Sequence, residues 1–296
     1  MKKIFFLSVA LVSATFFIGC NNDDDPVIFT NNLTISLSGL ESLGDDFIYE
    51  GWLITADGPV TAGTFSITAD GNLLQNEIQL SSSIVESATS YVVTIEPYPD
   101  TDPAPSNTHI LAGDFDGNTA ALTVSHPSAL NIDLTTATGS YILATPTDGP
   151  DTNENSGVWW LDPSGAEPVE TLVLEELPEG WKYEGWAVID GKTISTGTFT
   201  QINAADDSAI YSETIAPGPP FPGEDFLKDA PEGVTFPTDL AGAVVVISVE
   251  PYPDNSAAPF VLKPLLGNVP EDAGDHMLYD MFNNAAATNP IGTVIR

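Results

Sequence analysis

Apolar and polar residues alternate in Leu33-Thr-Ile-Ser-Leu37 and again in Thr64-Phe-Ser-Ile-Thr68, the period of a strand with one face on a core. Tyr91-Val-Val-Thr-Ile95 and Ala243-Val-Val-Val-Ile-Ser-Val249 are instead nearly continuous β-branched runs that stop just before a Glu-Pro, which predicts central strands. Asp-Gly pairs at 57–58, 70–71, 116–117 and 190–191 fall at the ends of such runs. Glycine reaches positive φ without steric cost and aspartate bonds its own backbone, so these pairs predict tight turns. Helical spacing is confined to 81–89 and 276–287. The 24 glycines and 24 prolines among 296 residues favour many short strands over a helical bundle. The pattern predicts an all-β chain.

The runs recur. Tyr49-Glu50-Gly51-Trp52 returns as Tyr183-Glu184-Gly185-Trp186, and Gly63-Thr64-Phe65 as Gly197-Thr198-Phe199, both at an offset of 134. Glu96-Pro97-Tyr98-Pro99-Asp100 returns as Glu250-Pro251-Tyr252-Pro253-Asp254 at an offset of 154, so the second copy carries 20 more residues between these blocks. Self-similarity at fixed offsets marks internal duplication. The copies span 33–145 and 170–296, with a Pro-rich insertion at about 214–238 in the second. Residues 146–169 read as a linker that holds one short strand, Gly157-Val-Trp-Trp-Leu161. The expected architecture is two tandem, related, antiparallel β-sandwich domains after a lipoprotein signal peptide.

Residues 1–19 carry the signal. Lys2 and Lys3 precede an apolar or small run over 4–18, shorter than the ~20 residues that a membrane-spanning helix needs. The run ends in Phe17-Ile18-Gly19-Cys20, which resembles the lipobox of bacterial lipoproteins, and this resemblance implies lipid attachment at Cys20. Cys20 is the one cysteine, so no disulfide forms within the chain. Residues 20–32 begin with an acidic stretch and read as a solvated tether; the stretch also resembles the surface-export signal of Bacteroidetes lipoproteins. The expectation is an outer-membrane protein held by its lipid and displayed at the cell surface, with the periplasmic face as the alternative.

Charge narrows the partners. Asp and Glu number 42 against 7 Lys and Arg, a net charge of −35. Phosphate recognition needs clustered bases, so nucleic acid is excluded as a partner. Residues 4–181 contain 26 acids and no Lys or Arg. A buried carboxylate in the first copy must therefore be satisfied by backbone N–H groups, a hydroxyl, a proton, a cation, or a base from the second copy. Along a strand Glu50 and Trp52 share one face, with Tyr49 on the other, and Glu184 and Trp186 repeat this opposite Tyr183. Tyr49, Glu50, Trp52 and Glu96, with Tyr183, Glu184, Trp186 and Glu250, are thus the signature residues whose role the structure must explain.

The order Tyr-Glu-Gly-Trp, Asp-Gly turn, Gly-Thr-Phe, β-branched strand into Glu-Pro, then Ala-Pro and Leu-x-Gly (Leu111-Ala-Gly113; Leu265-Leu-Gly267) resembles the extracytoplasmic C-terminal domain of anti-sigma-K factors. It is similar above all to lipoproteins that carry this domain twice. The resemblance covers most of 33–296 and implies a β fold, an envelope location and a binding or interaction role. The membrane-spanning helix and cytoplasmic sigma-binding region of those factors have no counterpart in the sequence, which opens instead on the lipoprotein signal.

Other chemistry is sparse. Asp114, Asp116 and Asn118 resemble the first half of a calcium loop, yet glycine falls at its fourth position and Ser125 at its twelfth, where a bidentate glutamate would close the shell. They are the candidate metal ligands, calcium being the one cofactor considered. Trp159, Trp160, Trp181 and Trp186, with Tyr183, form either core or a sugar-stacking platform. His109, His126 and His276 lack metal-ligand spacing. No nucleophile elbow, phosphate loop or zinc signature occurs, and no catalytic residue is assigned. The expected function is a non-catalytic, envelope-anchored binding module whose partner is an envelope protein or a glycan. Envelope sensing in anti-sigma signalling, calcium or glycan binding at the cell surface, and, last, polysaccharide hydrolysis are the alternatives.

Overall fold

The computed structural model describes residues 30–150, 152–253 and 256–296. The signal peptide, Cys20 and nearly all of the tether lie outside these residues. Strand accounts for 41% of the structure and helix for 6%. In the first half the strands are β1 (Thr30–Ser38), β2 (Phe47–Thr55), β3 (Gly58–Phe65), β4 (Glu77–Ser81), β5 (Ser90–Pro97), β6 (His109–Asp116), β7 (Thr119–Thr123) and β8 (Ser140–Leu143). Then come β9 (Gly157–Trp159), β10 (Leu161–Asp162), β11 (Val169–Glu170), β12 (Trp181–Ile189), β13 (Lys192–Phe199) and β14 (Gly223–Asp225). The last are β15 (Val244–Pro251), β16 (Leu265–Asn268), β17 (Tyr279–Asp280), β18 (Phe282–Asn283) and β19 (Ile291–Ile295). Among the described residues the α-helices are two short ones, α1 (Ser82–Ser87) and α2 (Ala285–Thr288). The chain is all-β and its paired strands run antiparallel.

The duplication is visible in the ladders. One sheet contains the order β3-β2-β5-β6 and another β13-β12-β15-β16. Both hairpins shift register at the glycine of Glu-Gly-Trp, between Gly51 and Trp52 and between Gly185 and Trp186. Each shift leaves one extra residue on the partner strand, a β-bulge that increases twist. The turns follow the Asp-Gly expectation: Asp190 and Gly191 both have positive φ, at 51° and 77°, as a two-residue hairpin turn requires.

Packing explains the repeated glycine. A Cβ on Gly51 would stand 1.8 Å from Tyr91 Oη, and one on Gly185 would meet Thr196 Oγ1 at 2.4 Å and the Trp160 ring at 2.5 Å. An aromatic ring lies over each glycine, so no side chain fits there. Alternation does the rest: Tyr49, Leu53, Tyr91 and Val93 enter the main hydrophobic cluster, while Trp52 packs with Val92 and Ala112 in a smaller one on the opposite face.

Two arrangements cross the sequence boundaries. β19, which the sequence assigns to the second copy, pairs with both β1 and β7 and so completes the eight-stranded sheet of the first. Val294 is fully buried there. Arg296 then supplies the base that residues 4–181 lack: its guanidinium donates to the carbonyls of Val85, Ala88 and Gly117 and lies 4.2 Å from the Phe115 ring centroid. The segment expected as a linker places β9 between β14 and β8 in a four-stranded sheet, with Trp160 fully buried. One hydrophobic cluster draws residues from both copies. The helix expected over 276–287 is reduced to α2, because β17 and β18 use the residues before it as strands.

Candidate functional site

The repeated glutamates are fastened to their own backbone. In the first copy the Trp52 indole N–H donates to Thr94 Oγ1 at 2.9 Å, and the Thr94 hydroxyl donates to Glu96 Oε1. The Ser106 N–H donates to both carboxylate oxygens of Glu96, at 2.9 and 3.2 Å. In the second copy Trp186 donates to Ser248 at 2.8 Å, Ser248 to Glu250, and the Phe260 N–H to both oxygens of Glu250, at 2.9 and 3.2 Å. Each glutamate thereby ties the end of its strand to a backbone N–H ten residues further on.

Glu50 and Glu184 accept from the hydroxyls of Thr61 and Ser195, which in turn accept from the N–H groups of Gly63 and Gly197, both at 3.0 Å. Tyr49 and Tyr183 donate to the carbonyls of Glu41 and Glu175, at 3.0 and 2.8 Å. In the first copy hydroxyls and backbone donors thus hold Glu50 and Glu96, two of the routes open to a stretch without Lys or Arg. Burial raises the Glu50 pKa, against the Thr61 hydrogen bond, and the charges of Glu96 and Asp100 raise it further. None of the four clefts of about 390 to 530 Å³ has Glu50, Glu96, Glu184 or Glu250 in its wall. Of the eight signature residues, Tyr183 alone stands in the wall of one of these four clefts, beside Trp181.

The other sequence candidates also find structural places. Asp114 lies 3.5 Å from His126 Nε2, and Gly117-Asn118 makes the turn between β6 and β7, with Asp116 as the last residue of β6 and Gly117 at φ 60°. Among the described residues no group of three or more His, Cys, Asp or Glu is arranged to hold a metal ion. All five aromatics are buried by area, Trp160 and Trp186 entirely within the protein, while Trp159 lines one cleft and Trp181 and Tyr183 another, so the five do not make up one exposed stacking platform.

A different constellation forms where the second copy has no counterpart in the first. The longer connection between β13 and β15 folds back onto β9 and encloses a cleft of about 480 Å³. Trp159 and Phe221 face it among prolines and alanines, with Asp206, Ser208, Ser212 and Glu213 as its polar wall. Asp225, fully buried behind it, fixes the indole: Oδ1 accepts the Trp159 N–H at 2.8 Å, while Oδ2 accepts the Thr147 N–H at 2.9 Å and the Thr147 hydroxyl. Gly223 has to be glycine, since a Cβ there would come 2.5 Å from Trp159 Cε3.

Asp206 packs against Gly197 and accepts the Gly223 N–H at 2.9 Å. Burial raises its pKa to about 8, opposed by the Gly223 and Ser208 N–H groups and reinforced by the charges of Glu224 and Asp207. Burial likewise raises Glu224 to about 7, against hydrogen bonds headed by that of Ser212, and pushes Asp225 up against those headed by that of Thr147. An apolar cleft with a few convergent polar groups of perturbed pKa is the general form of a small-molecule site.

No family model, curated protein or solved structure matches this chain. The site therefore rests on geometry. Sequence reading missed it because Asp206, Glu224 and Asp225 belong to no motif and lie in one copy only. The signal was the insertion itself, where Pro217-Gly-Pro-Pro-Phe-Pro-Gly-Glu-Asp-Phe226 joins glycines and aromatics to two adjacent acids. The hydroxyl partners were hidden for another reason: Thr61 and Thr94 become Ser195 and Ser248, so identity matching passes over them while the chemistry is kept.

Proposed function

We propose that this chain is a non-catalytic binding protein of the bacterial outer membrane, held by lipid on Cys20 and displayed at the cell surface. The two related sheets serve as its scaffold and the Trp159–Phe221 cleft as its ligand site. The observation that carries the reading is a division of labour between the copies. The repeated Glu96 and Glu250 are held by hydroxyls and backbone N–H groups, whereas the most apolar of the four large clefts, with the raised acid Asp206 in its wall, is built largely by the unrepeated connection between β13 and β15. The duplicated glutamates face none of the four large clefts, so they supply no carboxyl pair of the kind that glycoside hydrolysis needs.

Attachment rests on the lipobox; among the described residues no helix is long and apolar enough to cross a membrane. Expression with the native leader should give a membrane-bound, radiolabelled-palmitate-positive protein that external protease removes from intact cells. Cys20→Ala should lose both label and membrane fraction. Full membrane retention of the alanine variant would overturn the anchoring.

A further inference from the structure

Resting on the cleft as ligand site, we propose that it takes an organic cation, an ammonium group carried on a compact apolar body. The walls argue for this chemistry. Asp206 and Glu213 are the ionisable side chains in the lining, both acids, and no Lys or Arg stands among them. Trp159 and Phe221 present aromatic surface, whose π-face attracts cations. The carboxylate of Asp225 accepts the indole N–H, which makes that ring more electron-rich. A bare metal ion is disfavoured by the apolar lining and by the lack, among the described residues, of three clustered ligands.

The charged groups that face Asp206 are Glu224 and Asp207, which hold its proton on, and Glu213 in the same wall. Lys182 is tied to Asp207 at 2.5 Å and lies 4.0 Å from the Tyr252 ring centroid. A cation must displace the Asp206 proton, so binding releases one proton and strengthens as pH rises toward 8. At pH 7 about a tenth of Asp206 is ionised, which makes binding about tenfold weaker than its plateau.

The test uses the folded chain and a matched pair of probes, choline and its neutral isostere 3,3-dimethylbutan-1-ol, with glucose as a third. The Trp159 indole N–H resonance is followed at pH 7 and pH 9. Choline should move this resonance and bind at least tenfold more tightly than the alcohol, with about a tenfold gain from pH 7 to 9. Asp206→Asn should abolish the pH dependence, and Glu213→Gln, at the half-buried rim, should weaken choline alone. Equal binding of choline and the alcohol, or preference for glucose, would overturn the cation class and leave the cleft as the ligand site. No movement of Trp159 with any probe would overturn both.

Discussion

Asp206→Asn offers a quantitative test of how the cleft is built. Its carboxyl rises from 3.8 to about 8 because burial opposes the charged form. Between these two values the unfolded chain has released the Asp206 proton while the native chain keeps it. The native state then binds one proton more, and unfolding free energy falls by about 1.4 kcal/mol per pH unit. The contribution is whole below pH 3.8 and is lost as pH rises through about 8. Over the full interval it amounts to on the order of 5 kcal/mol, which solvent screening at this partly enclosed group reduces to ~2–3 kcal/mol. Glu224 adds a similar loss that ends near pH 7, so the interval from 7 to 8 belongs mainly to Asp206. Asparagine keeps an acceptor for the Gly223 N–H and removes the titration. Urea unfolding at half-unit steps from pH 4 to 9 should show the variant gaining on the wild type by ~2–3 kcal/mol, with both curves parallel above pH 8.5. Curves that stay parallel from pH 4 to 8 would refute the raised acid and the enclosure that causes it.

The scaffold gives three further expectations. Glu96→Ala leaves the Ser106 N–H without its acceptor and should cost about 1–3 kcal/mol, whereas Glu96→Gln keeps one oxygen and should cost under half as much; denaturant midpoints compare them. Gly51→Ala drives a methyl into Tyr91 Oη and should destabilise by roughly 3 kcal/mol or more, read as a lowered Tm, while Gly58→Ala, with nothing within 4 Å of its added Cβ, should be limited to its φ strain. Arg296→Ala removes donors to three carbonyls and should cost about 1–3 kcal/mol, with faster amide exchange in β7 and α1. Unchanged exchange there would separate Arg296 from the first sheet.

Local rules reach some of this architecture and stop at contacts between distant segments. The β-branched runs, the Asp-Gly turns and the two copies follow from short patterns whose causes lie within a hairpin, so β2, β5, β12 and β15 are legible. The place of β19 is not, because nothing in Ile-Gly-Thr-Val-Ile says that its neighbours are β1 and β7, more than 160 residues earlier. Residues 146–169 look like a linker with one short strand at 157–161, where β9 and β10 are found, but nothing local says that β9 lies between β8 and β14 in a sheet. The absence of bases frames the problem of Glu50 and Glu96 well, but its answer lies in hydroxyls that are not identical between the copies. Charge counts likewise describe the surface and miss Asp206, whose raised pKa comes from enclosure by a loop.

The central claim is that binding resides in the unrepeated cleft and that the repeated glutamates are structural. Its most direct test is an NMR screen of a fragment library against the folded chain, with every hit mapped by backbone and indole shifts. The account predicts hits that converge on Trp159, Phe221 and Asp206 and disappear in Asp206→Asn or Phe221→Ala. Hits that converge instead on Glu50 and Glu96, or on Glu184 and Glu250, would contradict it.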